Sequence, residues 1–193
     1  MNGGVTYSCV TATVDEVVDK HYEPVRLLEC CRQCPNFGMT WNCPPFDYSP
    51  LERLRKYRYI TMVMARIAVD DRVEVTMADR ILKPVKTILH QSLLEAESDV
   101  SESYALLFAG GCDLCDETCS RRDNLPCRHP AMVRPSLEGW GINVTTVAND
   151  LFKTPIVWGT GGFLPHQLTL VGALLHNDTL NEDIINKLTN HTS

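Results

Sequence analysis

The chain has 193 residues, of which 44% are apolar and 22% are charged, with both signs of charge interleaved. This composition is ordinary for a folded globular protein, and the length predicts a single domain over residues 1–193 with a conventional core. The net charge of −6 and the lack of a lysine or arginine block argue against a reader of duplex nucleic acid, whose affinity depends on cations against phosphates.

The first residues of the chain and the lengths of its apolar runs are used to predict where in the cell the protein lies. The first seven residues have neither a basic nor an apolar signal region, and no later apolar run approaches the roughly 18 residues that span a bilayer. We therefore expect a cytoplasmic protein that has no membrane partner. An odd number of cysteines, nine in all, favours metal or thiol chemistry over a disulfide framework in a reducing compartment.

The first elements lead into a cysteine loop. β-Branched residues predict a strand over residues 7–14, and an amphipathic pattern predicts a short helix over 15–21. Residues 25–31 predict a helical turn that leads into a first cysteine loop, 30–46. The residues that favour turns in that loop are Pro35, Asn36, Gly38, Pro44 and Pro45.

The middle of the chain predicts two buried strands around a long helix. Ser49 and Pro50 begin a short helix over 51–56 as cap and first residue. An almost uncharged run predicts a strand over 59–69 that is covered on both faces. Residues 77–97 keep a helical period, and Pro84 either begins this helix or kinks it. A second buried strand over 104–109 ends at two glycines that permit a sharp turn.

The last third predicts smaller elements. A capped turn is expected at 135–138, and Asn143 caps a helix over 144–151. Short strands over 156–158 and 168–175 are joined through a glycine-rich turn, and a small helix covers 181–188. The whole order predicts an α+β fold, with a small mixed or antiparallel sheet, helices packed on it, and the cysteine loops at one end.

A second cysteine loop, 110–130, contains four thiols within sixteen residues, in the pattern C-x2-C-x3-C-x7-C-x-x-P. Short connections of this kind can converge four soft sulfur ligands on one metal centre. These four thiols are Cys112, Cys115, Cys119 and Cys127. Nearby cations can offset their charge, and His129 can donate to sulfur. The cations are Arg121, Arg122, Arg128 and Arg134.

Either a [4Fe-4S] cluster or a zinc ion fits four such thiolates. Zinc knuckles usually separate two C-x2-C pairs by a dozen or more residues, whereas three closely spaced cysteines followed by a cysteine near a proline are typical of ferredoxin loops. The pattern therefore favours iron and sulfur, with zinc as the alternative.

The first loop offers a trio of thiols at Cys31, Cys34 and Cys43. Cys30 is a poor partner for Cys31, because neighbouring side chains on a helix point about 100° apart. Either Cys30 or Cys9 completes a closed structural site, or an iron–sulfur cube has three protein ligands and one open iron that acts as a Lewis acid.

Both loops resemble one known family. The segments C-x2-C-P-N-F-G-x2-W-x-C-P-P-F from Cys31 and G-G-C-x2-C-x3-C from Gly110 are similar to the predicted metal-binding family catalogued as domain of unknown function 2284. The segment C-R-H-P-x3-R-P-S-L-E, which begins at Cys127, is similar to the same family. The resemblance covers most of the chain and implies a metal-binding, iron–sulfur protein. The ligands that it implies are Cys31, Cys34, Cys43, Cys112, Cys115, Cys119 and Cys127.

The functional expectation follows from these ligands. We expect one or two [4Fe-4S] clusters in a protein of electron transfer or in a small redox or sulfur-handling enzyme, with a redox protein or a small molecule as partner. A zinc-stabilised binding or regulatory module without redox activity is one alternative. A carrier that hands on its metal or cluster is another.

Overall fold

The computed structural model describes residues 4–98, 106–115 and 118–190. Within these ranges the chain forms one four-stranded sheet. Its strands are β1 (Val5–Thr13), β2 (Tyr59–Ala68), β3 (Leu106–Leu107) and β4 (Gln167–His176). The spatial order is β1-β2-β4-β3, and every neighbouring pair is antiparallel.

Six α-helices accompany this sheet in the described ranges. They are α1 (Val14–His21), α2 (Pro24–Arg32), α3 (Pro50–Leu54), α4 (Ala78–Glu97), α5 (Val144–Asp150) and α6 (Glu182–Thr189). Helices and an antiparallel sheet together confirm the predicted α+β class. None of the helices in the described ranges is both long enough and apolar enough to cross a membrane.

The central strand β2 is buried, as its sequence predicts. Six consecutive residues from Ile60 to Ala65 are buried, because β1 and β4 flank the strand and other elements cover it. Met62 pairs with Val10 on one side and with Ala173 on the other. The apolar run therefore forms the middle of the hydrophobic core.

Helix α4 packs closely on β4 because Gly172 has no side chain. A Cβ atom at Gly172 would lie 2.6 Å from Leu93 Cδ1 and 3.2 Å from the carbonyl oxygen of Leu107. Leu89 and Leu93 of the helix are fully buried against the sheet side of the core. The glycine thus allows a close approach between helix and strand.

Two helix caps that the sequence predicts are present in the structure. The Ser49 hydroxyl accepts a hydrogen bond from the amide of Glu52 at 3.3 Å. The Asn143 carboxamide accepts bonds from the amides of Thr145 and Thr146, at 3.0 and 3.3 Å. Both helix starts lie at the predicted residues, because a cap needs only neighbouring atoms.

Two predictions near the glycines are wrong. Residues 156–158 form no strand, so there is no hairpin between them and β4. Instead, the Val75 amide donates to Gly162 at 3.0 Å, the Leu164 amide donates to Val73 at 2.7 Å, and Phe163 forms a bridge with Glu74. The backbone groups expected to pair within a hairpin bind the segment before α4.

The predicted long helix is confirmed, whereas the second buried strand differs from its prediction. Helix α4 begins at Ala78 and contains Pro84, so the helix does not begin at the proline. The predicted strand over 104–109 is represented by β3 and by a bridge between Phe108 and Ser136, while residues 104 and 105 lie outside the described ranges.

His90 on α4 is a buried histidine that packs and hydrogen-bonds within the fold. Its ring stacks on Phe108 with centroids 3.9 Å apart, and its Nε2 accepts from the Ala109 amide at 3.1 Å. Burial lowers the pKa of His90 from 6.5 to about 4, and the charge of Lys86 adds to the shift. The Ala109 backbone and Asp113 oppose it. The His90 ring is therefore uncharged in the folded protein near neutral pH.

We expect His90 to make the folded state sensitive to acid. Between pH 6.5 and pH 4 the unfolded chain gains a proton at this residue while the folded chain does not. The free energy of unfolding therefore falls as the pH falls, by about 2 kcal/mol at pH 5 relative to pH 7. Urea denaturation of the wild type and of His90→Gln at both pH values measures this term.

The exposed His166 supplies the control. His166→Gln should keep the acid dependence of the wild type, whereas His90→Gln should lose about 2 kcal/mol of it. Equal pH dependence in the wild type and in His90→Gln would contradict the assignment.

Candidate metal centre

The first cysteine loop is a series of tight turns that begins where α2 ends. The amide of Cys34 donates to the carbonyl of Cys31 at 2.9 Å, and the amide of Cys43 donates to Thr40 at 3.2 Å. Gly38, with a φ of +70°, donates to Pro44 at 2.8 Å and closes the loop. These bonds return the chain to α2, so that Cys43 lies near Cys31 and Cys34.

The thiols of this loop influence one another electrostatically. Burial raises the pKa of Cys31 to about 11. Neighbouring acidic groups add to this shift, and they are Cys43, Cys34, Glu138 and Cys30. Burial also raises the pKa of Cys43. We call Cys31, Cys34 and Cys43 the first centre.

The second cysteine loop begins at Gly110, which has a φ of +65° at the turn after β3. A short 3-10 helix, Ser120–Asp123, follows Cys119 and ends at Asn124, which adopts the left-handed conformation. The Ser120 hydroxyl donates to the carbonyl of Pro126 at 2.8 Å. These contacts turn the chain from Cys119 towards Cys127.

Four thiols of the second loop form a second electrostatic group. Burial raises the pKa of Cys112 to about 11, and a bond from the Leu114 backbone opposes the shift. The other contributions that raise it come from Cys127, Cys115 and Cys119. We call Cys112, Cys115, Cys119 and Cys127 the second centre.

Backbone amides contact the sulfur atoms of the second centre. The amide of His129 donates to Cys127 Sγ at 3.4 Å. The sequence predicts His129 as a donor to sulfur, and the donor in the structure is its backbone amide, which any residue except proline would supply at this position. Amide hydrogen bonds of this kind stabilise thiolates and tune the potential of a metal centre.

The possible ligands in the described part of the chain do not converge on a metal position, and the remaining two cysteines, Cys30 and Cys9, lie outside the two centres. Among the described residues, no three cysteine, histidine or carboxylate side chains converge closely enough to hold a metal ion. Cys30 is exposed beside Cys31. Cys9 lies on β1 opposite Val63, and burial alone raises its pKa. The ligand roles of the seven cysteines in the two centres stay predictions.

The two cysteine loops dock on each other through Arg121. One guanidinium nitrogen donates to the carbonyls of Thr40 and Cys43, at 2.7 and 2.6 Å, and the other donates to Pro45 at 2.6 Å. The positive charge also lowers the pKa of Cys43, against the stronger effect of burial. Arg121 belongs to the second loop in sequence, yet it stabilises the first.

Two further hydrogen bonds join the same loops. The buried Asn42 side chain donates to the carbonyl of Gly110 at 3.0 Å. The indole nitrogen of Trp41 donates to the carbonyl of Leu125 at 3.1 Å. The first and second centres therefore belong to one docked unit.

Arg134 has a different partner from the one that the sequence suggests. Its guanidinium pairs with the Glu97 carboxylate at the end of α4, with Nε at 2.9 Å from Oε1, and both side chains are nearly buried. It also donates to the carbonyls of Ala131 and Val133 at 3.0 Å. Arg134 thus ties the segment after Cys127 to the helix.

Glu138 is a functional candidate that the sequence analysis did not identify. It lies in the turn between Ser136 and Gly141, and its Oε2 is inaccessible to solvent and has no hydrogen-bond partner in the structure. Burial raises its pKa, while its own amide and Ser136 oppose this. The residue as a whole is half-buried, but the unpaired oxygen is enclosed.

A cavity of about 240 Å³ connects Glu138 with the first centre. Cys31 and Glu138 both line it, and four aromatic side chains form much of its wall. The aromatic residues are Tyr22, Phe46, Tyr48 and Trp140. No spacing signal in the sequence connects Glu138 with Cys31, because they lie far apart along the chain and only the tertiary fold places both at this cavity.

The comparison with protein families agrees with this chemistry. Residues 17–176 match the family described as "Predicted metal-binding protein (DUF2284)", and the chain belongs to that family. The resemblance that the cysteine segments indicate is therefore confirmed. Searches of curated proteins and of solved structures find no match.

We expect Arg121→Met to destabilise the docked loops. The substitution keeps a long apolar stem and removes the donors to three carbonyl groups, which costs about 1.5–3 kcal/mol for bonds that involve a charged partner. Chemical denaturation followed by circular dichroism measures the free energy of unfolding. The neighbouring exposed Arg122 provides the control, since Arg122→Met removes the same charge from the same 3-10 helix. Equal stability of the two variants would contradict a docking role for Arg121.

Proposed function

We propose that this member of the predicted metal-binding family is an iron–sulfur protein, with a [4Fe-4S] cluster at each of its two centres. It acts in electron transfer, or as a small redox or sulfur-handling enzyme. The observation that carries the proposal is the grouping of thiols on two loops that Arg121 docks on each other, with Cys31 coupled to its neighbours in one loop and Cys112 to its neighbours in the other.

The residues of both centres fit a soft metal. Cys31 and Cys112 have raised pKa values, so these thiols are protonated near neutral pH without a cation. A bound metal would take thiolate ligands and release those protons, and its positive charge would attract thiolates that otherwise repel one another. Metal binding would also draw the thiols of each loop together, which couples loading to local ordering.

Ligand spacing favours iron and sulfur over zinc. The second centre has three cysteines at close intervals and a fourth near Pro130, as in ferredoxin loops, without the long separation between two zinc knuckles. The hydrogen bond from the His129 amide to Cys127 Sγ is compatible with a cluster, since bonds of this kind adjust the reduction potential of iron–sulfur centres.

The docking of the loops supports a redox role. Arg121, in the second loop, donates to the carbonyls of Thr40 and Cys43 in the first loop. Asn42, in the first loop, donates to the carbonyl of Gly110 at the start of the second loop. A cluster at one centre would then lie next to the loop that holds the other. This arrangement suits a protein in which one cluster passes electrons and the other meets a partner or a substrate.

We expect protein purified without oxygen to be brown and to contain about eight iron atoms and about eight sulfides per chain. Cys115→Ser should lose about four of each through the second centre, and Cys34→Ser should lose a similar number through the first. Metal analysis and visible absorption measure both.

Cys9→Ser is the control for these cysteine variants. Because Cys9 lies on β1 and apart from both electrostatic groups, its loss should leave iron and sulfide unchanged. Colourless wild-type protein that contains zinc or no metal would overturn the iron–sulfur proposal.

A further inference from the structure

The first centre has three thiols, whereas the second has four, so the first lacks one protein ligand for a closed site. The other two cysteines fit this place poorly. Cys30 is the direct neighbour of Cys31 on α2, and successive side chains on a helix point about 100° apart. Cys9 pairs with Val63 in the sheet, and no thiol contributes to the shift of its pKa.

A carboxylate residue, Glu138, lines the same cavity as Cys31 of the first centre. Gly139, next to Glu138, packs so closely on the end of the first loop that a Cβ atom there would lie 3.5 Å from Pro44 Cδ and 3.5 Å from Phe46 Cζ. Pro44 directly follows Cys43, and Cys31 shares the cavity wall with Glu138. The turn that carries Glu138 therefore lies directly against the first loop.

The unpaired oxygen of Glu138 needs a partner. A buried carboxylate without a hydrogen bond or a cation is costly, and Oε2 has neither in the structure. Glu138 raises the pKa of Cys31 and of Cys43, which means that thiolates at these two positions would repel its carboxylate. A cation shared by the carboxylate and the thiolates would remove both problems.

We propose that Glu138 is the fourth protein ligand of the first centre, together with Cys31, Cys34 and Cys43. The inference rests on the proposed metal-binding function and names a ligand that cysteine spacing does not reveal. A carboxylate oxygen is a harder donor than a thiolate and binds a soft metal centre less firmly. The first centre is thus the exchangeable one, and it adjoins the aromatic cavity.

Glu138→Gln tests the ligand with little change in shape. The amide keeps one acceptor oxygen for Ser136 and for its own backbone, and it replaces the unpaired carboxylate oxygen by a neutral group. Wild type and variant are loaded anaerobically with ferrous iron and sulfide. We expect a ferrous chelator to remove iron from the first centre at least about tenfold faster in the variant. Electron paramagnetic resonance after mild oxidation should show a three-iron cluster in the variant.

Two other variants separate ligation from a structural role. Glu138→Cys supplies a thiolate at the same place and should restore slow iron loss with a changed spectrum, which a merely structural role does not predict. Glu29→Gln removes the same charge from an exposed position on α2 and should behave as wild type.

The outcomes distinguish the two proposals. If wild-type protein binds iron, and iron loss and spectrum are the same in Glu138→Gln, this inference fails while the proposed function stands. If Cys30→Ser or Cys9→Ser releases iron from the first centre and Glu138→Gln does not, that cysteine is the fourth ligand. If wild-type protein takes up no iron at the first centre, the proposed function fails there, and the inference fails with it.

Discussion

The contact between Arg121 and three carbonyl groups of the first loop determines how both centres are arranged. Thr40, Cys43 and Pro45 present carbonyl oxygens in a series of turns, and each of them accepts a hydrogen bond from Arg121. A guanidinium has several N–H donors in one plane and can serve all three acceptors at once. Since Arg121 follows Cys119 almost directly, the second loop is fixed by the same bonds that hold the first.

Much of the fold is predictable because its determinants are local or periodic. The run of apolar residues around Met62 predicts β2, and the caps at Ser49 and Asn143 predict two helix starts from neighbouring atoms. The failure at 156–158 has the opposite cause. Three residues carry little periodic information, and the backbone near Phe163 pairs with Glu74, a partner that only the tertiary fold selects.

Some residues of the candidate site are predictable from the sequence, whereas others are placed there only by the tertiary fold. Cysteine spacing predicts the members of both centres, because short connections limit how far those thiols can separate. Arg121 and Glu138 are different. The sequence indicates Arg121 as a counter-charge to its own loop, while the structure directs it to Cys43. Glu138 shares a cavity with Cys31 only because a distant turn packs on the first loop, and nothing in its sequence neighbours indicates that placement.

The sulfur atoms and the hydrophobic core are largely separate. All nine cysteines lie in the described part of the chain, and none is fully buried, whereas the core consists of apolar side chains from the sheet, α4 and the segments packed on them. Small zinc domains need their metal in order to fold, because they have little else to bury. Here the sheet supplies that burial independently of the thiols. The stability that the core provides can therefore offset the cost of partly burying the thiols and of leaving one carboxylate oxygen unpaired. A domain that depended on the cysteine loops for its stability would not tolerate that cost.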